Sequence, residues 1–321
     1  MTVHVGAQAP HPNLFQGIWH LADPKITLAS VASMVLATGL AAHDGELAWG
    51  WLAVTVLGIF AFEAAKNASG EIVDWNSGTD RALQPAERTP FSGGKRVIVD
   101  GLLTPRQTAF VAAAFYALGI LAGLAIVIWR EPAALWFGLA GTALAFFYHA
   151  PPLKLSYRGW GEAAVALAYG PLIACGTYLV QRHTLTPALV LATVPLGLAV
   201  MAFLWINEFP DARADAQAGK RTLVVRLGLP AAARAYALLV AVTYGWLLLL
   251  PLAGLPPTIW LGLAGLPHAV AAARRLLRHA QTPAELVPAQ TWTLLAFLLL
   301  AVGSAAGMLL ARALGMLWLG A

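Results

Sequence analysis

The chain has 321 residues, of which 59% are apolar and 11% are charged. A soluble domain carries about 25% charged residues, so this composition excludes an ordinary soluble protein. Several apolar stretches reach the roughly 20 residues that a helix needs to cross a bilayer. The net charge of +5 would favour an anionic partner in a soluble protein, but here the positions of the charges carry the information. We expect a lipid bilayer and no nucleic acid among the partners.

The sequence predicts an all-α, polytopic membrane protein of about nine transmembrane helices around a central cavity, with cytoplasmic cap loops. Residues 1–24 are polar and lack the apolar core of a cleavable signal. Loops after the odd-numbered spans are short and nearly neutral, whereas those after the even-numbered spans are long or charged. The predicted spans are residues 26–43, 47–66, 107–129, 133–149, 161–180, 187–206, 231–252, 256–273 and 290–311.

Lysine and arginine are distributed unevenly between the two sides of this arrangement. Apart from Arg130, Arg182 and Arg312, they fall in the N-terminal segment or in the loops after the even-numbered spans. The positive-inside rule therefore predicts that the N-terminus and these loops are cytoplasmic and that the C-terminus is outside. We expect a multi-pass protein of the cell (inner, cytoplasmic) membrane.

Two acidic clusters follow the second and sixth predicted spans, in the stretches NASGEIVDWNSGTD (67–80) and NEFPDARAD (207–215). Spacings of i, i+4 and i+7 or i+8 put three oxygen-bearing side chains on one helical face in each cluster. We call these two sets the acidic rows. The first row is Asn67, Glu71 and Asp74, and the second row is Asn207, Asp211 and Asp215.

The offset of 140 residues between the rows indicates a duplication, with residues 26–149 and 161–273 as the two halves of one domain and 290–311 as an extra helix. This symmetry predicts that the rows face each other across the cavity. Clustered carboxylate and amide oxygens suit Mg²⁺, which is typically held by one or two carboxylates together with substrate phosphates. The metal candidates are Asn67, Glu71, Asp74, Asp80, Asn207, Asp211 and Asp215, of which Asp74, Asp211 and Asp215 are the candidate catalytic residues.

Basic residues beside these rows are candidates for binding diphosphate oxygens. A further polar segment, residues 148–162, forms a turn between spans four and five and ends on Glu162, where a helix N-terminus favours negative charge. Its tyrosines and lysine could reach a substrate. The candidate substrate-binding residues are Asn67, Asn207, Lys25, Lys95, Arg96, Lys220, Arg221, Tyr148, Lys154 and Tyr157.

The two motifs, read as Asn67–Glu71–Asp74–Gly78–Asp80 and Asn207–Asp211–Asp215, resemble those of the UbiA superfamily of intramembrane prenyltransferases. Residues 211–228, 24–28 and 157–162 look most like the branch that prenylates 1,4-dihydroxy-2-naphthoate in menaquinone synthesis. The resemblance implies Mg²⁺-dependent transfer of a polyprenyl group from a polyprenyl diphosphate to a small aromatic acceptor. It also implies that the apolar cavity keeps water from an allylic cation and that the prenyl tail leaves sideways into lipid.

The sequence departs from the family pattern at three places. Glu71 stands where the family usually has Asp, Asp23 stands where an Arg is common, and residues 208–210 are unusual within the second motif. These departures leave open other acceptors, namely 4-hydroxybenzoate, homogentisate, a tetrapyrrole or a non-aromatic alcohol. A transporter is the alternative from another class, and its acidic residues should lie within spans rather than at helix ends.

Overall fold

A computed structural model describes residues 14–22, 24–78, 89–91 and 94–316, with the backbone alone for residues 24–26. Regular secondary structure in these residues is helical, which confirms the predicted all-α class. The α-helices are α1 (Leu14–Ala22), α2 (Pro24–Asp44), α3 (Trp49–Ser77), α4 (Pro105–Trp129), α5 (Ala134–His149), α6 (Gly161–Leu167), α7 (Ile173–Arg182), α8 (Pro187–Gln217), α9 (Leu223–Leu227), α10 (Leu229–Leu249), α11 (Leu266–His279) and α12 (Val287–Ala313).

Six helical spans within the described residues are long and apolar enough to cross a membrane, or seven if the bent pair α1 and α2 counts as one span. The molecule is a multi-span membrane protein, but the predicted count of nine is not confirmed. Helix α5 has only 16 residues. The span predicted at 256–273 is a 3₁₀ segment, Pro257–Gly265, followed by α11. Pro267 lies in the first turn of α11 and lacks the amide that would continue regular helical bonding from the 3₁₀ segment.

Helices α3 and α8 run well past the span ends predicted at residues 66 and 206. Helix α8 begins where the Thr186 side chain accepts a hydrogen bond from the Leu189 amide, and α3 stops at Gly78 in the left-handed conformation. Helices often end at a glycine in the left-handed conformation, because glycine has no Cβ and adopts it without steric cost. The extra turns keep both acidic rows helical, as their spacing predicts.

The core is organised around α8, whose side chains Leu189, Leu196 and Ile206 are fully buried. Small residues let neighbouring helices approach it closely, as in other membrane bundles. A Cβ on Gly170 would lie 2.8 Å from the Cα of Gly197 on α8. This contact holds the segment between α6 and α7 directly against α8.

The segment between α6 and α7, Ala168–Leu172, is a π-helical turn that contains Pro171. Proline cannot donate the regular helical bond and its ring crowds the preceding turn, so the helix widens locally. The widened turn directs the Tyr169 side chain toward α3, where its hydroxyl hydrogen-bonds to Glu63. Tertiary packing therefore fixes the position of a tyrosine on the inner wall of the bundle.

Candidate active site

A cavity of about 1140 Å³ lies among α3, α4, α5, the α6–α7 segment and α8. Its wall is apolar along the first half of α3, at Val200, Phe203 and Leu204 in the middle of α8, and along α4, where Ile120 and Val127 line it. The wall becomes polar toward the C-terminal ends of α3 and α8. Five of the six members of the acidic rows line the polar part, namely Asn67, Glu71, Asp74, Asn207 and Asp211. The cavity suits a ligand with a charged head and an apolar tail.

The first acidic row lies on the last three turns of α3. Asn67 is buried and donates its side-chain amide to the Leu21 carbonyl of α1 at 3.0 Å. Glu71 is also buried, and its Oε1 accepts a hydrogen bond from the Ile98 amide at 2.8 Å. Asn67 therefore holds α1 against α3, and Glu71 holds the segment around Ile98 against α3. These contacts are made within the protein and do not need a ligand.

The second acidic row lies on the last turns of α8. Asn207 and Asp211 line the cavity, whereas Asp215 is buried and is not among the lining residues. The Asn207 Oδ1 atom is buried and has no hydrogen-bond partner within the described ranges. A buried acceptor without a partner is costly, so this oxygen is suited to a ligand.

Lys220 joins the two acidic rows. Its Nζ lies 3.7 Å from Asp74 Oδ1 on α3 and 3.6 Å from Asp215 Oδ1 on α8. The predicted juxtaposition of the rows is thus a feature of the structure. Burial opposes the charge of Lys220, but the carboxylates of Asp74 and Asp215 hold the pKa of its ammonium group above the usual value.

The chain reaches this position through a tight turn after α8. The Lys220 amide donates to the Asp215 carbonyl at 2.8 Å, and Gly219 has a φ of +75°. Most residues with a Cβ avoid this left-handed region. The turn at Gly219 therefore reverses the chain, so that the Lys220 ammonium group lies beside Asp215 near the C-terminal end of α8.

The donor atoms of the rows fit a hard cation. They are carboxylate and amide oxygens, which Mg²⁺ prefers. Within the part of the chain that the structure describes, no group of three His, Cys, Asp or Glu side chains is gathered around one point. Mg²⁺ commonly keeps waters and substrate phosphates as ligands. The rows therefore fit a cation that is shared with a phosphorylated substrate, rather than a cage made of protein alone.

Some of the remaining predicted residues line the cavity and others do not. Lys95, Arg96 and Tyr148 line it, and Arg96 also pairs with Asp100 at 3.0 Å. Lys154 is exposed, and its Nζ lies 5.5 Å from the centre of the Tyr157 ring.

Lys220 Nζ lies 5.6 Å from the same Tyr157 ring. Neither Lys220 nor Arg221 is among the lining residues, and Arg221 is exposed. Asp80 and the side chain of Lys25 lie outside the described residues.

Several buried acidic residues near the site were not predicted as site residues. Glu162 was expected only at a helix N-terminus, and its Oε1 accepts a hydrogen bond from the Leu223 amide at 2.6 Å. Glu208 and Glu63 are both 8% exposed and both line the cavity. A glutamate in the middle of an apolar span is itself a signal of function. The spacing of Glu63, four residues before Asn67, could have revealed it.

The chain is similar to known proteins in sequence and in fold. The sequence profile of the UbiA prenyltransferase family matches residues 30–299. A 1,4-dihydroxy-2-naphthoate octaprenyltransferase of Mycobacterium tuberculosis is 31% identical over 285 residues, covering 88% of this chain and 94% of the relative. The protein of the same name from Bacillus subtilis is 25% identical over 301 residues, covering 92% and 94%.

The fold is also found among solved structures. The structure of a UbiA homolog from Archaeoglobus fulgidus bound to GPP and Mg²⁺ has a TM-score of 0.59 to this chain at 16% sequence identity. The similarity covers 89% of this chain and 99% of the archaeal protein.

Proposed function

The chain belongs to the UbiA prenyltransferase family, and from this premise we propose the reaction that it performs. It transfers a polyprenyl group from an allylic polyprenyl diphosphate to 1,4-dihydroxy-2-naphthoate, a step of menaquinone biosynthesis. The observation that carries the proposal is that the two acidic rows meet, with Lys220 between Asp74 and Asp215, and that both rows contribute to the polar part of a largely apolar cavity.

The acidic rows are the proposed site for Mg²⁺ and the diphosphate. The residues that would hold the cation are Asn67, Glu71, Asp74, Asn207, Asp211 and Asp215, with Asp80 beyond the described residues. Bound Mg²⁺ supplies positive charge that stabilises the diphosphate as a leaving group. The archaeal UbiA homolog bound to GPP and Mg²⁺ supports this assignment through its similar fold.

The other residues of the site act on the two substrates directly. Lys220 and Lys95 stabilise the negative charge that the departing diphosphate gains when the C1–O bond breaks. The apolar wall excludes water from the allylic carbon, so an electron-rich ring carbon of the acceptor attacks C1 instead. For a dihydroxynaphthoate, the carboxyl group leaves as carbon dioxide in the overall conversion.

The acceptor and the membrane placement rest on separate support. Relatives at 25% and 31% identity are named for 1,4-dihydroxy-2-naphthoate, which favours this acceptor over 4-hydroxybenzoate or homogentisate.

The distribution of Lys and Arg supports insertion in the cytoplasmic membrane with the acidic rows on the cytoplasmic side. On that side the enzyme meets a soluble acceptor, while the prenyl tail extends into lipid.

The experiment that tests the acceptor uses purified protein in detergent with geranylgeranyl diphosphate and Mg²⁺. It supplies 1,4-dihydroxy-2-naphthoate and 4-hydroxybenzoate in parallel, and products are followed by mass. We expect a prenylated, decarboxylated naphthoate product that disappears with EDTA. Prenylated 4-hydroxybenzoate without a naphthoate product would contradict the proposed acceptor and leave the transferase class in place.

A further inference from the structure

Glu63 and Tyr169 form a polar patch on the cavity wall, one helical turn from the first acidic row. Glu63 precedes Asn67 by four residues, so it shares the same face of α3 and lies about 6 Å farther from the helix end. Its side chain lines the cavity and is only 8% exposed. A carboxyl group at such depth is costly unless it has a polar partner.

The Glu63 carboxyl group is only half satisfied by the protein. Its Oε1 accepts a hydrogen bond from the Tyr169 hydroxyl at 2.9 Å. Its Oε2 is buried and meets no donor in hydrogen-bonding geometry among residues that the structure describes. The Ser30 hydroxyl is a second donor beside the carboxyl group, but it is too far away or too poorly aligned to satisfy Oε2. A ligand that brings a hydroxyl group to Oε2 would recover the free energy lost by burying that oxygen.

The patch is held in a fixed geometry by three elements. Tyr169 sits in the π-helical turn that packs against α8 through Gly170 and Gly197. Its backbone carbonyl accepts a hydrogen bond from the Ser33 hydroxyl of α2. Glu63 is therefore preorganised by packing and does not need a ligand to orient it.

The charges around the patch restrict which ligand fits. Lys66 and Lys95 lie close enough to act on the Glu63 carboxyl group, and both line the same cavity. A carboxylate on the ligand is repelled by Glu63 and attracted by these two lysines. A hydroxylated aromatic carboxylate is thus oriented with a hydroxyl group toward Glu63.

We propose that Glu63 binds the acceptor by taking a hydrogen bond from a ring hydroxyl group at Oε2, and so selects hydroxylated rings. The inference rests on the proposed prenyl transfer. It places the acceptor one turn deeper than the diphosphate, beside the position of the allylic carbon. Glu63 is then a substrate-binding residue for the acceptor, distinct from the rows that face the diphosphate.

The test compares how tightly purified protein in detergent binds 1,4-dihydroxy-2-naphthoate and 2-naphthoate, under anaerobic conditions that protect the diol. Wild-type protein should bind the diol at least about tenfold more tightly, as expected for a hydrogen bond to a buried carboxyl group. Glu63→Met should reduce this preference to near one. Glu63→Gln keeps the shape of the side chain and should give an intermediate preference.

Two further measurements separate binding from a purely structural role. Glu46→Gln changes a glutamate that is 92% exposed and paired with Arg312, and this control should keep the wild-type preference. The affinity for farnesyl thiodiphosphate with Mg²⁺ should stay within about twofold in all three variants, because the patch does not contact the diphosphate.

A hydroxyl preference that survives Glu63→Met, or that is absent from the wild type, would overturn the inference. Equal losses of affinity for both naphthoates and for the thiodiphosphate would also overturn it, since they would indicate a structural role. If wild-type protein consumes no prenyl diphosphate with any acceptor, the proposed function itself fails. A wild type that forms product while Glu63→Met keeps its preference contradicts the Glu63 assignment alone.

Discussion

Lys220 is a basic residue that contacts both acidic rows. Its ammonium group lies between Asp74 and Asp215, and its side chain is only 15% exposed. Lys220→Met should raise the KM for the prenyl diphosphate and lower kcat, each by about tenfold, because a charge-assisted contact with the leaving group is lost. Steady-state kinetics with saturating acceptor measure this.

The matched control for Lys220 is Arg278→Met. Arg278 is an exposed cation on α11, away from the cavity lining. Its kinetics should match the wild type. Equal effects of the two substitutions would show that Lys220 contributes only general surface charge.

The carboxylates of the two rows should act as one unit. Asp74→Ala and Asp211→Ala should each reduce turnover by at least about a hundredfold, since each would remove charge stabilisation from one side of the proposed diphosphate site. Both variants should remain folded and membrane-inserted, as judged by gel filtration and thermal unfolding in detergent. Full activity in either variant would remove that residue from the site.

At the scale of single elements, Glu71 connects α3 to the loop that carries Lys95 and Arg96. Its Oε1 accepts a hydrogen bond from the Ile98 amide, a reach that the longer glutamate side chain suits. Glu71→Ala should speed hydrogen exchange at Ile98 by about tenfold, whereas Glu71→Gln keeps an acceptor oxygen and should preserve protection. Unchanged exchange in Glu71→Ala would contradict the anchoring role.

The close contact between the α6–α7 segment and α8 should be sensitive to the size of the side chain at position 197. A Cβ on Gly197 would lie 2.4 Å from the Ala166 carbonyl oxygen, whereas one on Gly245 would meet nothing within 4 Å. Gly197→Val should lower the free energy of unfolding by about 1–3 kcal/mol, while Gly245→Ala should not destabilise the protein. Thermal unfolding of both variants in detergent decides this, and equal stabilities would argue against close packing at Gly197.

These elements also show what sequence can and cannot predict. The spacing of Asn67, Glu71 and Asp74 predicts one helical face, and α3 runs to Ser77 in agreement. The π-helical turn that directs Tyr169 toward Glu63 depends on Pro171 and on packing against α8, so local patterns do not reveal it. The predicted count of nine spans is not confirmed, and at residues 256–273 the sequence does not reveal that the chain forms a 3₁₀ segment followed by a separate α-helix.

At the scale of the whole molecule, the fold brings two distant helix ends to one cavity. Residues about 140 positions apart in sequence come within reach of a single lysine. The apolar wall extends from this point along α4 and α5. The proposed function requires this arrangement, because a diphosphate and an apolar chain must occupy the same cavity at once.

The proposed diphosphate site is tested most directly by the binding of farnesyl thiodiphosphate, an unreactive analogue of the proposed substrate, to purified protein with and without Mg²⁺. We expect tight binding that requires Mg²⁺ and is weakened by about tenfold or more in both Asp74→Ala and Asp211→Ala. Binding that is independent of Mg²⁺, or that depends on only one of the two rows, would contradict the claim that the rows hold one diphosphate together.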